Sequence, residues 1–385
     1  MDAPFIYDKF VTGKNFIGRK SDCTILGNLI SQHENIVLYA PPKGGKTSLV
    51  QQALFNLRVM GKQLRIGQFS ALNIRSVEAF LLRLGGTALR AVATTPSEYA
   101  ALADRHLGGT HVIFDPGHFA DSDEVLSTNW ALDREDWLAV LRLPYRIARD
   151  GGAPLLLIID EFQNLALTED GDGLFKAMEQ VMKEELEAGR APFSYIFSGS
   201  MVNAMKDIFE VRRFFYRQVE PLKMQPVDER EITEHIAKGF LTSGKVIDKD
   251  LLLGACRLFR NNLWYINHFV SICDSKSKGY IMEPILVEAL AGILAIHEPR
   301  FRSMVNDLTT HQVSLLRAII DGCTKFSSSE VVRAYALNSS ANVKRVKDAL
   351  VKKEIVTFDS NDIPTILDPL FEYWVRKYYF EEKDA

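Results

Sequence analysis

A glycine-bearing segment near the beginning of the chain has the residue types and spacing that bind phosphate. It reads APPKGGKTS over residues 40–48 and follows a short apolar run, IVLY, over residues 36–39. A strand, such a loop and a following helix hold phosphate through backbone N–H groups and the positive end of the helix. Lys46 would reach the β and γ phosphates of a nucleotide, and the Thr47 hydroxyl would hold Mg²⁺. The predicted phosphate-binding residues are Pro42, Lys43, Gly44, Gly45, Lys46, Thr47 and Ser48.

The loop departs from the pattern G-x-x-x-x-G-K-[ST] at one position, because Ala40 stands in place of the first glycine. A backbone turn that needed a positive φ at this position would be strained by alanine. The other interpretation of the segment is a lysine-containing surface turn between a strand and a helix. The rest of the chain has to decide between the two.

A second segment supplies carboxylates suited to the same chemistry. Five aliphatic residues, LLLII over residues 155–159, end in Asp160 and Glu161, which is typical of a buried parallel strand with a charged carboxyl end. Asp160 would hold Mg²⁺, mostly through water, and Glu161 would orient the water that attacks the γ-phosphate. The other interpretation is that Asp160 caps a following helix. Both motifs in one chain, about a hundred residues apart, favour binding of ATP or GTP.

Three further side chains are candidates for contact with the transferred phosphate. Ser200 ends the next predicted strand, where a hydroxyl can contact the γ-phosphate or its water, and Ser198 is the second choice. Arg217 belongs to the sequence RRFFYR over residues 212–217 and could act as an arginine finger, within its own chain or on a neighbouring subunit. An ordinary strand-end serine and a basic surface loop are the equally weighted alternatives.

The composition is that of an ordinary globular protein and excludes several classes. The 385 residues are 47% hydrophobic and carry a net charge of −3, so any nucleic-acid binding must come from a local patch. The four cysteines are scattered, which indicates free thiols in a reducing compartment, and the histidines have no metal-ligand spacing. No apolar run approaches the ~20 residues of a membrane span, and residues 1–5 do not resemble a signal peptide. A cytoplasmic protein is therefore expected.

Alternating strands and helices between residues 36 and 222 predict an α/β fold with a doubly wound parallel sheet. A helix with Ile25, Leu26, Leu29 and Ile30 as its apolar stripe precedes the first strand. Residues 95–133 are interpreted as an insertion or long connection, and Pro144 is expected to kink or split its helix. Strands are predicted over 36–39, 63–69, 155–159, 193–197 and 219–222, and helices from 47 onward and over 73–91, 136–148 and 172–187.

The pattern becomes helical after residue 228. The sequence predicts three domains: an α/β domain over 1–225, a helical lid over 226–305 and a winged helix over 306–385. The order of three helices and a hairpin in the last region is that of a winged helix. Lid helices are predicted over 228–240, 249–259, 264–273 and 283–296, winged-helix helices over 312–320, 328–335 and 341–353, and hairpin strands over 355–358 and 365–367.

The third winged-helix helix carries an excess of basic side chains. Lys344, Arg345 and Lys347, with Lys352 and Lys353, would face outward if Val343, Val346 and Leu350 formed its buried stripe. A recognition helix in the DNA major groove needs such a face. A solvated face in a protein–protein module is the alternative, and the net acidic chain favours it slightly.

Several short segments together match the pattern of a known family. They are FIGR at 16–19, GKTS at 45–48, IDEFQ at 159–163, FSGS at 197–200, YR at 216–217 and DPLFEYW at 368–374. With these segments the chain resembles the prokaryotic (archaeal-type) ATPases of the STAND branch of AAA+ proteins over nearly its full length.

The resemblance implies a P-loop ATPase core, a helical lid and a winged helix, with Gly18 and Arg19 near the adenine. Initiator ATPases of replication origins are similar in layout. At residues 261–264 the sequence is NNLW where such proteins often have a Gly-x-Pro turn.

The resulting hypothesis is a slow Mg²⁺-dependent ATPase that acts as a nucleotide-controlled conformational or assembly switch. ATP and Mg²⁺ are the expected cofactors. The expected interactions are self-assembly, binding of duplex DNA at the winged helix and binding of an unidentified protein. No interaction with a membrane is expected. The alternatives are an ATP-dependent DNA-binding protein and a non-hydrolysing, nucleotide-bound scaffold.

Overall fold

Residues 5–120 and 125–380 are described by a computed structural model. Three short ranges lie outside this description: residues 1–4, 121–124 and 381–385. They belong to the start of the chain, for which no signal peptide is expected, to the predicted insertion and to the predicted winged helix. The chain divides into two units. We call Lys20–Ala40 with Leu49–Met224 the sheet unit, and Met1–Arg19, Pro41–Ser48 and Gln225–Ala385 the helical unit.

The sheet unit is built on five parallel strands in the order β2-β5-β6-β1-β7. These strands confirm the predicted doubly wound α/β fold. A short antiparallel pair, β3 and β4, lies outside the main sheet. The strands are β1 (Ile36–Tyr39), β2 (Arg65–Ser70), β3 (Val112–Phe114), β4 (Leu126–Thr128), β5 (Leu155–Asp160), β6 (Phe193–Gly199) and β7 (Glu220–Pro221).

Helices flank these strands in the order that a parallel sheet requires. In the described part of this unit the α-helices are α1 (Lys20–Ser31), α2 (Lys46–Val59), α3 (Val77–Arg90), α4 (Pro96–Leu107), α5 (Arg134–Asp150), α6 (Gly171–Glu187) and α7 (Val202–Lys206). The first part of α2 belongs to the helical unit and the remainder to the sheet unit.

Hydrophobic burial explains why β5 lies inside the sheet. It is hydrogen-bonded to β2 on one side and β6 on the other, and all five of its aliphatic side chains are buried. On α3, Phe80, Leu81, Leu84 and Leu89 are fully buried as the sequence predicted. Each such side chain contributes roughly 1.5–3 kcal/mol through removal of its apolar surface from water.

Two sequence-based expectations in the sheet unit need correction. In α1 the buried residues include Asp22 and Cys23 beside Leu26 and Ile30, whereas Ile25 is exposed because the helix is rotated from the expected stripe. Pro144 does not split α5, which is one continuous helix. The interpretation of residues 95–133 as an insertion or long connection stays a prediction; among the described residues of this region, α4 begins with a capping box between Thr95 and Glu98, and the β3–β4 pair follows.

The helical unit contains the predicted lid helices and the winged helix. Pro299 lies inside α11, so this helix continues ten residues beyond its predicted end at 296. The hairpin strands β10 and β11 pair antiparallel. The elements are α8 (Glu229–Thr242), β8 (Val246–Ile247), α9 (Lys249–Leu258), α10 (Leu263–Lys276), β9 (Tyr280–Ile281), α11 (Glu283–Asn306), α12 (Thr310–Ile320), α13 (Ser329–Ala334), α14 (Ser340–Lys352), β10 (Val356–Phe358), β11 (Pro364–Ile366) and α15 (Pro369–Trp374).

One hydrophobic core joins the lid helices to the winged helix. Phe301 of α11 packs its ring 5.5 Å from that of Phe371 and 5.8 Å from that of Trp374, both in α15. The predicted boundary near residue 305 lies at the end of α11, within this shared core. Among the described residues, no helix is long and apolar enough to cross a membrane.

Candidate functional site

The carboxyl ends of β5, β6 and β1 form one edge of the sheet and collect polar groups. Tyr39 is in register with Gly199, and Ile159 with Phe197, so Asp160 and Ser198 are adjacent. The Ser198 hydroxyl donates a hydrogen bond to Oδ1 of Asp160. This edge is where open α/β sheets bind their ligands.

Glu161 is fixed by hydrogen bonds beside Asp160. Its Oε2 accepts from Nε2 of Gln163 at 2.6 Å and from the Ser200 hydroxyl at 2.7 Å, and the Ser200 N–H lies 3.3 Å away. The Glu161 backbone has φ of +53°, a left-handed conformation that costs roughly 1–2 kcal/mol for a residue with a side chain. The polar contacts that hold the carboxylate offset this strain.

The cap interpretation of Asp160 does not describe what its side chain does. A short 3-10 helix over Phe162–Leu167 follows, and its N-cap residue is Glu161, without a side-chain cap bond. Asp160 Oδ1 accepts from the Glu161 N–H at 3.0 Å as well as from Ser198. Its half-buried carboxylate therefore remains at the sheet edge, where its oxygen atoms could serve as hard ligands for Mg²⁺.

Arg217 lies at the other end of the parallel strands, beside their amino ends. It precedes β7 and lines a small cavity with residues that come before β1, including His33, Glu34 and Asn35. Its guanidinium carbon lies 5.2 Å from the centre of the Tyr216 ring. At ~3.3 Å per strand residue, the length of β1 separates this position from the edge that carries Asp160. The structure thus does not bring Arg217 together with the acidic pair of its own chain.

The phosphate loop has a left-handed turn at two positions. Lys43 has φ of +65° and Gly45 has φ of +89°, whereas Ala40 does not have a positive φ, so alanine is not strained there. A Cβ added at Gly45 would lie only 2.8 Å from Nη1 of Arg19. The loop closes with a hydrogen bond of 3.0 Å from the Gly44 N–H to the Pro41 carbonyl.

Lys46 and Thr47 begin α2, as the phosphate-loop interpretation requires. Lys46 is 9% exposed, and its Nζ lies 3.5 Å from the carbonyl oxygen of Pro41. Thr47 is exposed, and Ser48 Oγ accepts from the Val11 N–H at 3.2 Å. The loop therefore presents an ammonium and a hydroxyl at a helix N-terminus.

Arg19 supports the loop from the leading segment of the helical unit, and Gly18 lies next to it. Arg19 Nη1 donates to the Gly44 carbonyl at 2.9 Å, and its Nε donates to the Gln225 carbonyl at 3.0 Å. Gly18 has φ of +66°, and a Cβ there would lie 2.5 Å from Val227. Arg19 thus ties the loop backbone to the start of the segment that leads into α8.

A cavity of about 330 Å³ lies beside the loop within the helical unit. Its size is at the lower end of the range for small-molecule sites. Its wall combines polar loop atoms with aromatic and aliphatic side chains, as a nucleotide with a flat base would need. The lining residues are 6–11, 15–17, Arg19, 43–48, Leu263, Trp264 and Asn267.

Trp264 and Asn267 were not found from the sequence, which assigned no lid residue to the site. The Lys43 ammonium lies 3.4 Å from the centre of the Trp264 ring and 5.5 Å from that of Tyr265. Burial, followed by the charge of Arg300, lowers the pKa of Lys43 to about 8 against the opposing effect of the Asp368 carboxylate. The unusual sequence at 261–264 was the available signal.

The winged helix presents only part of its basic set to solvent. Val343, Val346 and Leu350 form the buried stripe, as predicted. Lys344 and Arg345 are exposed, but Lys347 forms an ion pair with Asp362 of the β10–β11 turn.

One group of described side chains has the spacing of a metal site, which the sequence did not indicate. It consists of His111, Asp133 and Asp136. Hydrogen bonds account for it, because Asp133 and Asp136 form the capping box of α5 and Asp136 also binds the His111 ring at 2.8 Å. All four cysteines are free thiols.

The strand order, with the loop after β1 and the acidic end of β5, is that of the AAA+-like P-loop NTPase fold, and a winged helix follows. The model of a probable winged helix domain matches residues 299–377. No curated protein sequence matches the chain.

Two solved structures show how much of the chain shares this fold. The Walker-type ATPase Paby2304 of Pyrococcus abyssi is 14% identical, with a TM-score of 0.66 over 97% of this chain and 99% of that one. The ORC2 protein of Aeropyrum pernix, solved with ADPNP and ADP, is 13% identical, with a TM-score of 0.55 over 93% of each chain. At these identities the likeness establishes the fold.

Proposed function

We propose that the protein binds Mg²⁺·ATP and hydrolyses it slowly as a nucleotide-controlled conformational or assembly switch. One observation carries the proposal: the phosphate loop leaves the sheet at the carboxyl end of β1, and Asp160 and Glu161 lie at the same edge. The ATPase fold of Paby2304 and the nucleotides bound to ORC2 support it. Assignment to the STAND branch rests on the sequence motifs, and the free thiols support a cytoplasmic location.

Each residue has a role that follows from its chemistry. Backbone N–H groups of residues 43–48 and the Lys46 ammonium bind the phosphates, while Arg19 holds the leading segment against the loop and, with Gly18, takes the place near the adenine that the resemblance implies. The Thr47 hydroxyl and the Asp160 carboxylate are the hard oxygen donors that Mg²⁺ prefers. When bound, Mg²⁺ neutralises charge that develops on the phosphate oxygens.

Glu161 orients the attacking water, and hydrogen bonds hold its carboxylate in place for this role. Side-chain donors from Gln163 and Ser200 both bind Oε2. These two bonds fix the orientation of the carboxylate that is proposed to act as the base. The Ser200 hydroxyl is also the group that an arriving γ-phosphate would compete for, which makes it the proposed sensor of ATP.

A phosphate-release assay on four proteins tests the enzymatic part of this proposal. Wild type should release phosphate only with Mg²⁺, and Lys46→Ala and Glu161→Gln should not. Glu169→Gln, which changes an exposed acid shortly after the strand, is the matched control and should retain turnover. Nucleotide binding without phosphate release by wild type would support the scaffold alternative instead.

The exposed Lys344 and Arg345 on a winged-helix domain favour a second candidate function, ATP-dependent binding of duplex DNA. Few contacts are expected, because Lys347 is already paired with Asp362. Affinity should fall by about 0.9 log units per log unit of salt for each phosphate contact. Anisotropy titrations at low salt, with and without ATP, should separate wild type from Lys344→Glu/Arg345→Glu; equal curves would leave the winged helix as a protein-interaction or autoinhibitory module.

A further inference from the structure

Lys43 has an unfavourable backbone conformation, and its side chain makes a contact that glycine could not make. Its φ of +65° lies in the left-handed region, where glycine is free of strain. The side chain instead places its ammonium 3.4 Å from the centre of the Trp264 ring. A cation over an indole face is attracted by the negative face of the ring. The strained backbone at Lys43 therefore accompanies a specific contact between the phosphate loop and α10.

The Trp264 ring is held firmly on its other sides. The ring of Tyr7 lies 6.0 Å away, that of His268 lies 5.2 Å away and that of His297 lies 5.9 Å away. The backbone is fixed as well, because Asn262 Oδ1 accepts from the Trp264 N–H at 3.0 Å. A ring packed in this way can set the position of a flexible lysine rather than follow it.

Tyr265, the next residue of α10, connects this helix to the winged helix. The Tyr265 hydroxyl lies 2.9 Å from both carboxylate oxygens of Asp368, and its single O–H group donates a hydrogen bond that the two oxygens share. Asp368 is the N-cap of α15, where it accepts from the N–H groups of Leu370 and Phe371, and it forms an ion pair with Arg300 of α11. Trp264 and Tyr265 thus contact the phosphate loop through one side chain and the winged helix through the next.

We propose that Lys43 and Trp264 are positioning residues that hold the phosphate loop in the conformation that binds nucleotide. Tyr265 and Asp368 then transmit the position of the loop to α15. This inference rests on the proposed function, since it assumes that the loop binds nucleotide. The coupling depends on contacts that change when nucleotide binds. Phosphate charge beside the loop attracts the Lys43 ammonium, which otherwise faces the Trp264 ring, and the next residue of α10, Tyr265, is hydrogen-bonded to Asp368.

A double-mutant cycle on the full chain tests the first step, with fluorescent ATP and Mg²⁺ as the probe. Lys43→Met and Trp264→Leu should each weaken binding by roughly 3- to 30-fold, and the double variant should bind no worse than the weaker single variant. Lys43→Arg should restore binding because it keeps a cation over the ring. Lys278→Met, which removes an exposed charge of the same unit outside the cavity, is the matched control and should leave binding unchanged.

Several outcomes would overturn the proposal. Additive effects in the cycle would show that Lys43 does not act through Trp264, and equal effects of Lys43→Met and Lys278→Met would show that the loss is not specific to Lys43. Trp264→Phe keeps the cycle interpretable if Trp264→Leu does not fold. Failure of wild type to bind the probe would instead remove the proposed function itself, so the two failures are distinguishable.

Hydrogen exchange at the start of α15 tests the second step. Nucleotide should change the protection of this segment in wild type, and the change should be lost in Tyr265→Phe, which keeps the ring but removes the hydrogen bond to Asp368. The same nucleotide-dependent change in both proteins would contradict transmission through Tyr265.

Discussion

The Ser200 hydroxyl donates a hydrogen bond of 2.7 Å to Oε2 of Glu161, while the neighbouring Ser198 hydroxyl donates to Asp160. Two strand-end serines, separated by Gly199, thus each hold a different member of the acidic pair. This division of contacts gives the two serines separable roles in the proposed site.

Replacing each serine should therefore affect a different step. Ser200→Ala should lower kcat by roughly tenfold with little change in KM, because a hydrogen bond to a charged group is lost from the water-orienting carboxylate. Ser198→Ala should instead raise the Mg²⁺ concentration needed for half-maximal turnover. Phosphate release measured over a Mg²⁺ titration checks both, and identical profiles for the two variants would contradict the assignment.

Arg217 should act on a neighbouring subunit, because in its own chain it lies at the other end of the parallel strands from Asp160. Glu161→Gln and Arg217→Ala should each be inactive alone, whereas a mixture should regain turnover at sites that combine an intact Glu161 with an intact Arg217. Arg213→Ala, in the same basic segment, is the control. A mixture with no more activity than its components would exclude a role in trans.

His297 should make the protein less stable in mild acid. Burial, followed by the charges of Lys43 and Arg300, lowers the pKa of His297 to about 4 from 6.5. Between these values the unfolded chain takes up a proton at this residue and the folded chain does not, so the free energy of unfolding falls as pH falls from 6.5 to 4. The loss attributable to this group is up to about 3 kcal/mol.

Urea unfolding across this pH interval measures the effect. His297→Phe should show a shallower loss of stability than wild type, because the aromatic ring can remain among Trp264, Tyr265 and Phe301 without titrating. His118→Gln changes an exposed histidine and should follow wild type. Parallel curves for wild type and His297→Phe would show that His297 does not control the acid response.

Nucleotide state should change the protection of the lid over residues 226–305. The energy for such a change comes only from contacts that distinguish ATP from ADP, for which Ser200 and Arg217 are the proposed groups. Hydrogen exchange with ADP and with a non-hydrolysable ATP analogue should therefore differ in this region, and the difference should vanish in Lys46→Ala. Equal protection with both nucleotides would remove the switch from the proposal.

Much of the sheet could be predicted because its strands bury continuous apolar runs. The aliphatic run at 155–159 has few ways to avoid water other than as a strand between two neighbours, and it is β5. The insertion was harder, since β3 and β4 are three residues each and carry little periodicity. The spacing of Thr95 and Glu98 is the sequence signal of the capping box that begins α4.

The site divides in the same way. The loop and the acidic strand end were visible because each combines chemistry and local structure within a few residues. The contact between Lys43 and Trp264 was not, because about 220 residues separate the two positions and only the folded helical unit joins them. The rotation of α1 likewise depends on its tertiary environment, which buries Asp22 and exposes Ile25.

Calorimetric titration of Mg²⁺·ATP into the protein tests the central claim most directly. We expect saturable binding to wild type, retained binding to Glu161→Gln, and a large loss of affinity in Lys46→Ala and Asp160→Ala. Glu169→Gln should bind as wild type does. No heat of binding with wild type in the presence of Mg²⁺, or equal affinity for wild type and Lys46→Ala, would contradict the proposal that this loop is a nucleotide site.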